Sequence, residues 1–177
     1  SIVKAEIQQK FISTPWDSHD IQIVANSSKN WGTVQDSAVK YGLLIHDMLS
    51  KIIIEEDVKK VLNNYVVSGV ISVHELPEVQ KVLKSIISHQ LLNFYFKENY
   101  VVYTEREIVD EHKRILIPDR LMFQGNNVVI IDYKTGARSV KHKDQIEGYA
   151  KILMKMGCVI EKKIIIYIDS CVLLEVI

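Results

Sequence analysis

Residues 114–136 read RILIPDRLMFQGNNVVIIDYKTG. Two largely apolar runs flank Gln124-Gly125-Asn126-Asn127, whose residues tolerate the positive φ that tight hairpin turns demand. The stretch therefore predicts two antiparallel strands. Alternation puts Ile115, Ile117, Asp119, Leu121 and Phe123 on one face of the first strand. It puts Val128, Ile130, Asp132 and Lys134 on one face of the second. A two-residue loop pairs Gln124 with Asn127, and a four-residue loop pairs Phe123 with Val128. Both impose the same register, in which Asp119 stands directly opposite Asp132.

That register brings two carboxylates to roughly 5 Å at Cβ on a face that is otherwise apolar. Like charges so placed repel, and burying them unpaired is costly. Lys134 shares the face, one pleat beyond Asp132, but one ammonium does not supply the octahedral geometry that clustered oxygens suit. A divalent cation does. Asp119, Asp132 and Lys134 are thus read as a metal site with an adjacent lysine. The competing reading, a surface ion pair on a strand, leaves three charged residues on one greasy face unexplained.

Pro118-Asp119, twelve intervening residues, then Asp132-Tyr133-Lys134-Thr135-Gly136 resembles the PD-(D/E)xK nucleases. The run from Asp132 resembles in particular the RecB family of helicase-associated nucleases, of the AddAB and RecBCD type. Two further stretches fit that family in order and place. Gly42 and His46 stand four apart on an early predicted helix and resemble the motif whose His is a metal ligand. Without that context, a lone His on the flank of an apolar stripe reads as a satisfied core histidine. Gln145 and Tyr149, also four apart and on one helix face, resemble the Gln-x-x-x-Tyr pattern that follows the lysine and borders the site. The resemblance spans His46 to about Ile168 and leaves the first thirty residues outside.

The chain of 177 residues is long enough to bury a sizeable core and is read as one domain, residues 1–177. It opens on Ser rather than Met, and the expectation is a segment excised from the C-terminal part of a larger helicase–nuclease. Lys and Arg (22) balance Asp and Glu (22), which argues against a free-standing nonspecific nucleic-acid binder. A module fused to a translocating protein borrows that protein's affinity instead. No apolar run approaches membrane-spanning length and no signal peptide is visible, so the reading is a soluble, cytoplasmic protein with no membrane partner. Two cysteines, Cys158 and Cys171, are too few for an iron–sulfur cluster and are read as small core hydrophobes.

Along the chain, residues 4–24 suggest strand, turn and strand, and residues 27–32 a polar loop. Trp16 and Trp31 are either base-stacking platforms or, more simply, rings packed over a core edge. A helix is predicted from Asp36, its N-cap, with Ala38, Gly42, Ile45, Leu49 and Ile52 as the apolar stripe. Gly42 costs about 1 kcal/mol relative to Ala in a helix interior and so requires a packing reason. A second helix opens at Glu55-Glu56-Asp57 and ends at Ser68-Gly69, and residues 71–73 are short and extended. A third helix is expected from residue 76 to about 97, burying Val79, Val82, Leu83, Ile86, Ile87 and Leu91. Residues 100–110 form a strand that pairs with the 114 strand through a turn at Asp110-Glu111-His112. Glu105 and Glu107 alternate on it, and a one-residue slip moves both away from Asp119. Family members often place a glutamate here, so Glu107 is a candidate extra acid, with a solvent-facing side chain as the alternative. A helix from residue 141 to about 156 is closed by Gly157. Lys141 and Lys143 at its start are candidate phosphate contacts or simply solvated charges. Residues 163–177 read as strand, turn at Asp169-Ser170, strand. The architecture is α/β, a mixed central sheet with the acidic hairpin at its centre and helices on its flanks, restriction-endonuclease-like by resemblance.

The resemblance implies a Mg²⁺-dependent deoxyribonuclease, expected to be an exonuclease, in DNA repair and recombination, with Mn²⁺ able to substitute. It implies His46, Asp119, Asp132 and the Tyr133 carbonyl as metal ligands, and Asp119, Asp132, Lys134, Gln145 and Tyr149 as the catalytic set. Lys134 is expected to orient the attacking water, and Gln145 and Tyr149 to position the strand or the lysine. The implied partners are single-stranded DNA ends and the helicase portion, working at a bacterial nucleoid. The alternative is a nuclease-like domain without catalysis that binds DNA or braces a partner. Intact matched positions argue for the enzyme, and zero net charge leans the other way.

Overall fold

The computed structural model describes residues 34–168 and 172–177. The expectations for residues 4–24, Trp16, Trp31, the 27–32 loop, the Asp169-Ser170 turn and Cys171 lie outside the described residues. Four helices follow the chain: α1 (Val34–Lys51), α2 (Asp57–Val67), α3 (Leu76–Ile87) and α4 (Val140–Lys155). The strands are β1 (Val101–Thr104), β2 (Ile108–Val109), β3 (Ile115–Leu116), β4 (Arg120–Gln124), β5 (Asn127–Thr135), β6 (Val159–Ile168) and β7 (Val172–Val176). Five of them form one mixed sheet in the order β1-β4-β5-β6-β7, with only the β5–β6 pair parallel. Helix α4 is the crossover that a parallel pair requires.

The hairpin at the middle of this sheet has the register read from its turn. Gln124 pairs with Asn127, Phe123 with Val128 and Arg120 with Ile131, and Gly125 takes the turn's positive φ (61°). Strand β5 is buried on both faces from Val128 to Tyr133, as a central strand packed on two sides must be. Met122, Val129, Ile131 and Tyr133 join the core built with α1, α2 and α3. Leu121, Val128 and Ile130 join a second core with Ile146, Tyr149 and Leu153 of α4.

Five local expectations are corrected. Residues 114–123 are two strands rather than one, and so are residues 100–110. Both hairpin arms keep one register, Val101 opposite Phe123 and Ile108 opposite Leu116, but the ladder breaks between them. Pro118 lies in the break and has no N–H to donate, and Glu105, which stands opposite Asp119 in that register, takes φ 51°. The tip at Asp110 is as expected, its carboxylate accepting from the His112 and Arg114 amides (2.8 Å each). Helix α3 stops at Ile87 and a 3-10 turn at Asn93–Phe96 follows, which buries Leu92, Tyr95 and Phe96 and leaves Leu91 half exposed. Residues 71–73 form a bend and turn: Ser72 and Glu75 exchange hydrogen bonds (2.7–3.3 Å) in a reciprocal cap. Helix α1 already includes Val34, so Asp36 falls inside its first turn instead of capping it.

The cost of Gly42 has its reason. A Cβ built there would sit 2.0 Å from Thr135 Cγ2, so α1 crosses the end of β5 at a distance only glycine permits. Arg120 fastens the other end of the helix. Its guanidinium, fully buried, donates to the carbonyls of Ile52 and Ile53 (2.6 Å each) just past α1 and lies 4.4 Å from the Phe96 ring centre. Between these two fixings α1 is held over the sheet, with His46 one turn beyond Gly42. Tyr65 ties α2 to the same helix by meeting Asp47 and Lys51.

Candidate active site

Asp119 occupies the bend immediately before β4, and the β4–β5 register carries it opposite Asp132. One carboxylate oxygen, Oδ2, accepts from the Tyr133 amide at 2.6 Å. The other, Oδ1, lies 3.1 Å from His46 Nε2. The hydrogen bond to Asp119 holds the His46 pKa above its ordinary value, against an opposing effect of burial. Tyr133 itself points to the opposite face and meets the His46 ring edge-on, centroids 5.6 Å apart. Burial pushes its hydroxyl up to about 12.

Asp132 is fully buried. Lys134 Nζ forms an ion pair with its Oδ2 at 2.6 Å. Its Oδ1 has no hydrogen-bond partner among the described residues. Burial first, and the charge of Asp119 second, push the Asp132 pKa up to about 6, with Lys134 pulling the other way. A buried carboxylate with one oxygen unsatisfied, facing a second carboxylate, is costly for a fold to keep.

Gln145 and Tyr149 come together as their spacing implies. Gln145 Nε2 donates to the Tyr149 hydroxyl at 2.7 Å, and that hydroxyl reaches the Ile117 carbonyl at 3.4 Å. Tyr149 is buried, while Gln145 is exposed. Burial raises the Tyr149 pKa, and the charges of Asp132 and Asp119 raise it further, which places α4 at the border of the carboxylate pair.

The glutamate beside His46 is Glu105. Glu107 faces solvent, while Glu105 donates its amide to the Asp119 carbonyl (3.0 Å) and brings Oε1 to 3.9 Å from His46 Nδ1. The positive φ at Glu105 ends the simple alternation that would have put both glutamates on one face. Of the two lysines at the α4 start, Lys143 is paired with Glu175 at 2.7 Å, and the Lys141 side chain is exposed. Arg120 was missed by sequence reading. A signal existed, because alternation puts it on the face opposite Asp119, beside Met122, where a charge must find buried partners.

As the side chains stand, no three His, Cys, Asp or Glu groups among the described residues are gathered closely enough to enclose a metal ion. The donor chemistry suits one nonetheless. Two opposed carboxylates, one of them with an unsatisfied oxygen, and the His46 imidazole are ligands for a hard or borderline divalent cation. Two cavities of about 380 and 590 Å³ lie elsewhere, against α4 and the Asp110 turn and between α1 and α2, and neither is lined by Asp119 or Asp132.

The sequence profile of the PD-(D/E)XK nuclease superfamily matches residues 29–157. The chain belongs to the PD-(D/E)XK nuclease superfamily. Within the superfamily's terms, the five-stranded mixed sheet flanked by four helices is a restriction-endonuclease-like fold. The match contains His46, Asp119, Asp132, Lys134, Gln145 and Tyr149. No curated protein matches. A solved structure titled "Crystal structure of SSO0001" aligns over 82% of this chain and 78% of its own, with 17% identity and a TM-score of 0.32. Superfamily membership supports nuclease activity and hence a nucleic-acid partner. Among the described residues no helix is long and apolar enough to cross a membrane.

Proposed function

We propose that the chain is a divalent-metal-dependent deoxyribonuclease, the nuclease module of a RecB-type helicase–nuclease acting in DNA repair and recombination. The observation that supports it best is Asp132, buried opposite Asp119, with Oδ1 unpartnered and only the Lys134 ammonium, 2.6 Å away, against Oδ2. Few structural roles reward such an arrangement, whereas a cation bound between the carboxylates does.

Asp119, Asp132 and His46 would hold Mg²⁺ or Mn²⁺, with the Tyr133 carbonyl as a further oxygen. A bound cation supplies charge neutralisation at the phosphate and a more acidic water. Hydrolysis forms a bond from the water oxygen to phosphorus and breaks the bond to the leaving oxygen, which takes up a proton. Lys134 orients the water and counters the charge that develops on the phosphoryl oxygens. Tyr149, hydrogen-bonded to Gln145 and to the Ile117 carbonyl, steadies the segment that ends in Asp119. Gln145 is exposed and free to meet the strand. Glu105 is the acid placed to support His46.

Zero net charge favours a second reading, a nuclease-like domain that binds DNA or braces a partner without cutting. End-labelled single-stranded and duplex DNA incubated with the chain in Mg²⁺, Mn²⁺ and EDTA decides between them. Metal-dependent loss of full-length DNA, abolished in Asp132→Asn, is the expected result, and single-nucleotide release identifies an exonuclease. DNA left intact in both metals refutes the enzyme.

A further inference from the structure

The carboxylate-bearing face of the sheet continues past Asp119 onto the edge strand β1, and there it presents an aromatic ring. Tyr103 stands opposite Leu121 on β1, two residues before Glu105, and so on the same face as Asp119. Helix α4 covers Leu121 but not the edge strand, and Tyr103 is 41% exposed. Its ring is held at the edge by one side chain and lies under another. Phe123 meets it edge-on, with centroids 5.8 Å apart and planes at 77°. The Arg106 guanidinium lies over the ring, 5.4 Å from its centre.

We infer that Tyr103 and Arg106 form a base-stacking platform for single-stranded DNA entering the carboxylate site. This rests on the proposed nuclease reading and names the strand form that the site receives. Two residues of strand separate Tyr103 from Glu105, whose amide is bonded to the Asp119 carbonyl, so the platform lies about 7 Å along the strand from the site. A nucleotide whose phosphate reaches the carboxylates has its neighbour's base within range of that ring. Stacking needs an unpaired base with a free face, which a duplex does not offer, and it tolerates any sequence. The cation beside the ring adds attraction for both the base and the adjoining phosphate. A chain of zero net charge gains little from phosphates alone, so stacking is the contact that makes up the difference.

A cross-strand aromatic pair also stabilises an edge, and the test separates the two roles. Fluorescence anisotropy with a labelled thymidine oligomer of about twelve nucleotides is measured at low salt, in EDTA and in Ca²⁺, for the unaltered chain, Tyr103→Leu and Tyr103→Phe. An abasic oligomer of equal length and a duplex serve as comparisons. Tyr103→Leu should weaken binding of the thymidine oligomer about five- to hundredfold while leaving the abasic and duplex affinities within about twofold. Tyr103→Phe, which keeps the ring, should restore most of the loss, and Arg106→Ala should weaken binding less than Tyr103→Leu. Equal affinity of Tyr103→Leu and the unaltered chain overturns the platform, as does an equal loss on the abasic strand. Melting temperatures measured alongside exclude a folding defect, and Phe rescue holds independently of it. Mn²⁺-dependent cleavage by the unaltered chain reports on the nuclease reading separately. Cleavage with no Tyr103 effect overturns the platform alone; neither binding nor cleavage overturns both.

Discussion

Replacing Asp132 by Asn should make the metal-free chain more stable at neutral pH. Asp132 is fully buried, its Oδ1 has no hydrogen-bond partner among the described residues, its Oδ2 has only the Lys134 ammonium, and Asp119 lies opposite. Its pKa is raised from the ordinary 3.8 to about 6, chiefly by burial. The folded chain thus holds this proton more tightly than the unfolded chain does. Stability falls as pH rises from the lower value to the upper one and stays reduced above it. A displacement of that size corresponds to roughly 3 kcal/mol. Asparagine keeps the shape and never ionises, but it deprives the Lys134 ammonium of its partner, which offsets part of the gain. The net expectation is a gain of about 1–3 kcal/mol, a rise in Tm of a few degrees up to about 10 °C for a chain of this length. Thermal melts in EDTA at about pH 7.5 and at about pH 4.5 measure it, and the gap should shrink at the lower pH as the native carboxyl is protonated. Added Mn²⁺ should raise the Tm of the unaltered chain and not that of the variant. A variant that melts at or below the unaltered chain in EDTA at the higher pH, or a gap that ignores pH, would refute the reasoning.

The other expectations concern the metal, the lysine and the helix crossing. Calorimetry with Mn²⁺ should show binding to the unaltered chain and its loss in Asp119→Ala, and equal binding by the two would remove Asp119 from the site. Lys134→Ala should stay folded and bind Mn²⁺ while cleaving DNA several hundredfold more slowly, since one such charge contact is worth about 3–4 kcal/mol. A rate above about a tenth of normal takes Lys134 out of the chemistry. Gly42→Ala should destabilise by about 1–3 kcal/mol, because its methyl would meet Thr135 Cγ2 at 2.0 Å. Thr135→Ser, which deletes that methyl, should recover part of the loss, and additive effects in a double-mutant cycle would show that the two residues do not collide.

Much of the fold was legible because its determinants are local. The turn at Gln124-Gly125-Asn126-Asn127 sets the pairing of β4 with β5 whatever surrounds it, and that pairing alone puts Asp119 opposite Asp132. Gln145 and Tyr149 meet because helical spacing leaves them no alternative once α4 forms. Gly42 declared itself by its cost, although its partner Thr135 lies far along the chain. Where local pattern failed, a single residue had changed the phase. Pro118 and Glu105 interrupt two strands that composition reads as continuous, and the early end of α3 at Ile87 buries Leu92 in place of Leu91.

By itself the sequence determined the hairpin, its register, the helical spacing of the paired motifs and the alternation of core faces. These depend on bond geometry and on periods of 2 and 3.6 residues, which act over a few positions. Only the tertiary structure decided which acid stands beside His46, that Lys143 is bound to Glu175, and that Arg120 holds the end of α1 through the Ile52 and Ile53 carbonyls. Each of these joins groups brought together by the packing of helices on the sheet. No local period encodes such a contact, because its partners are neighbours only after the chain between them has folded.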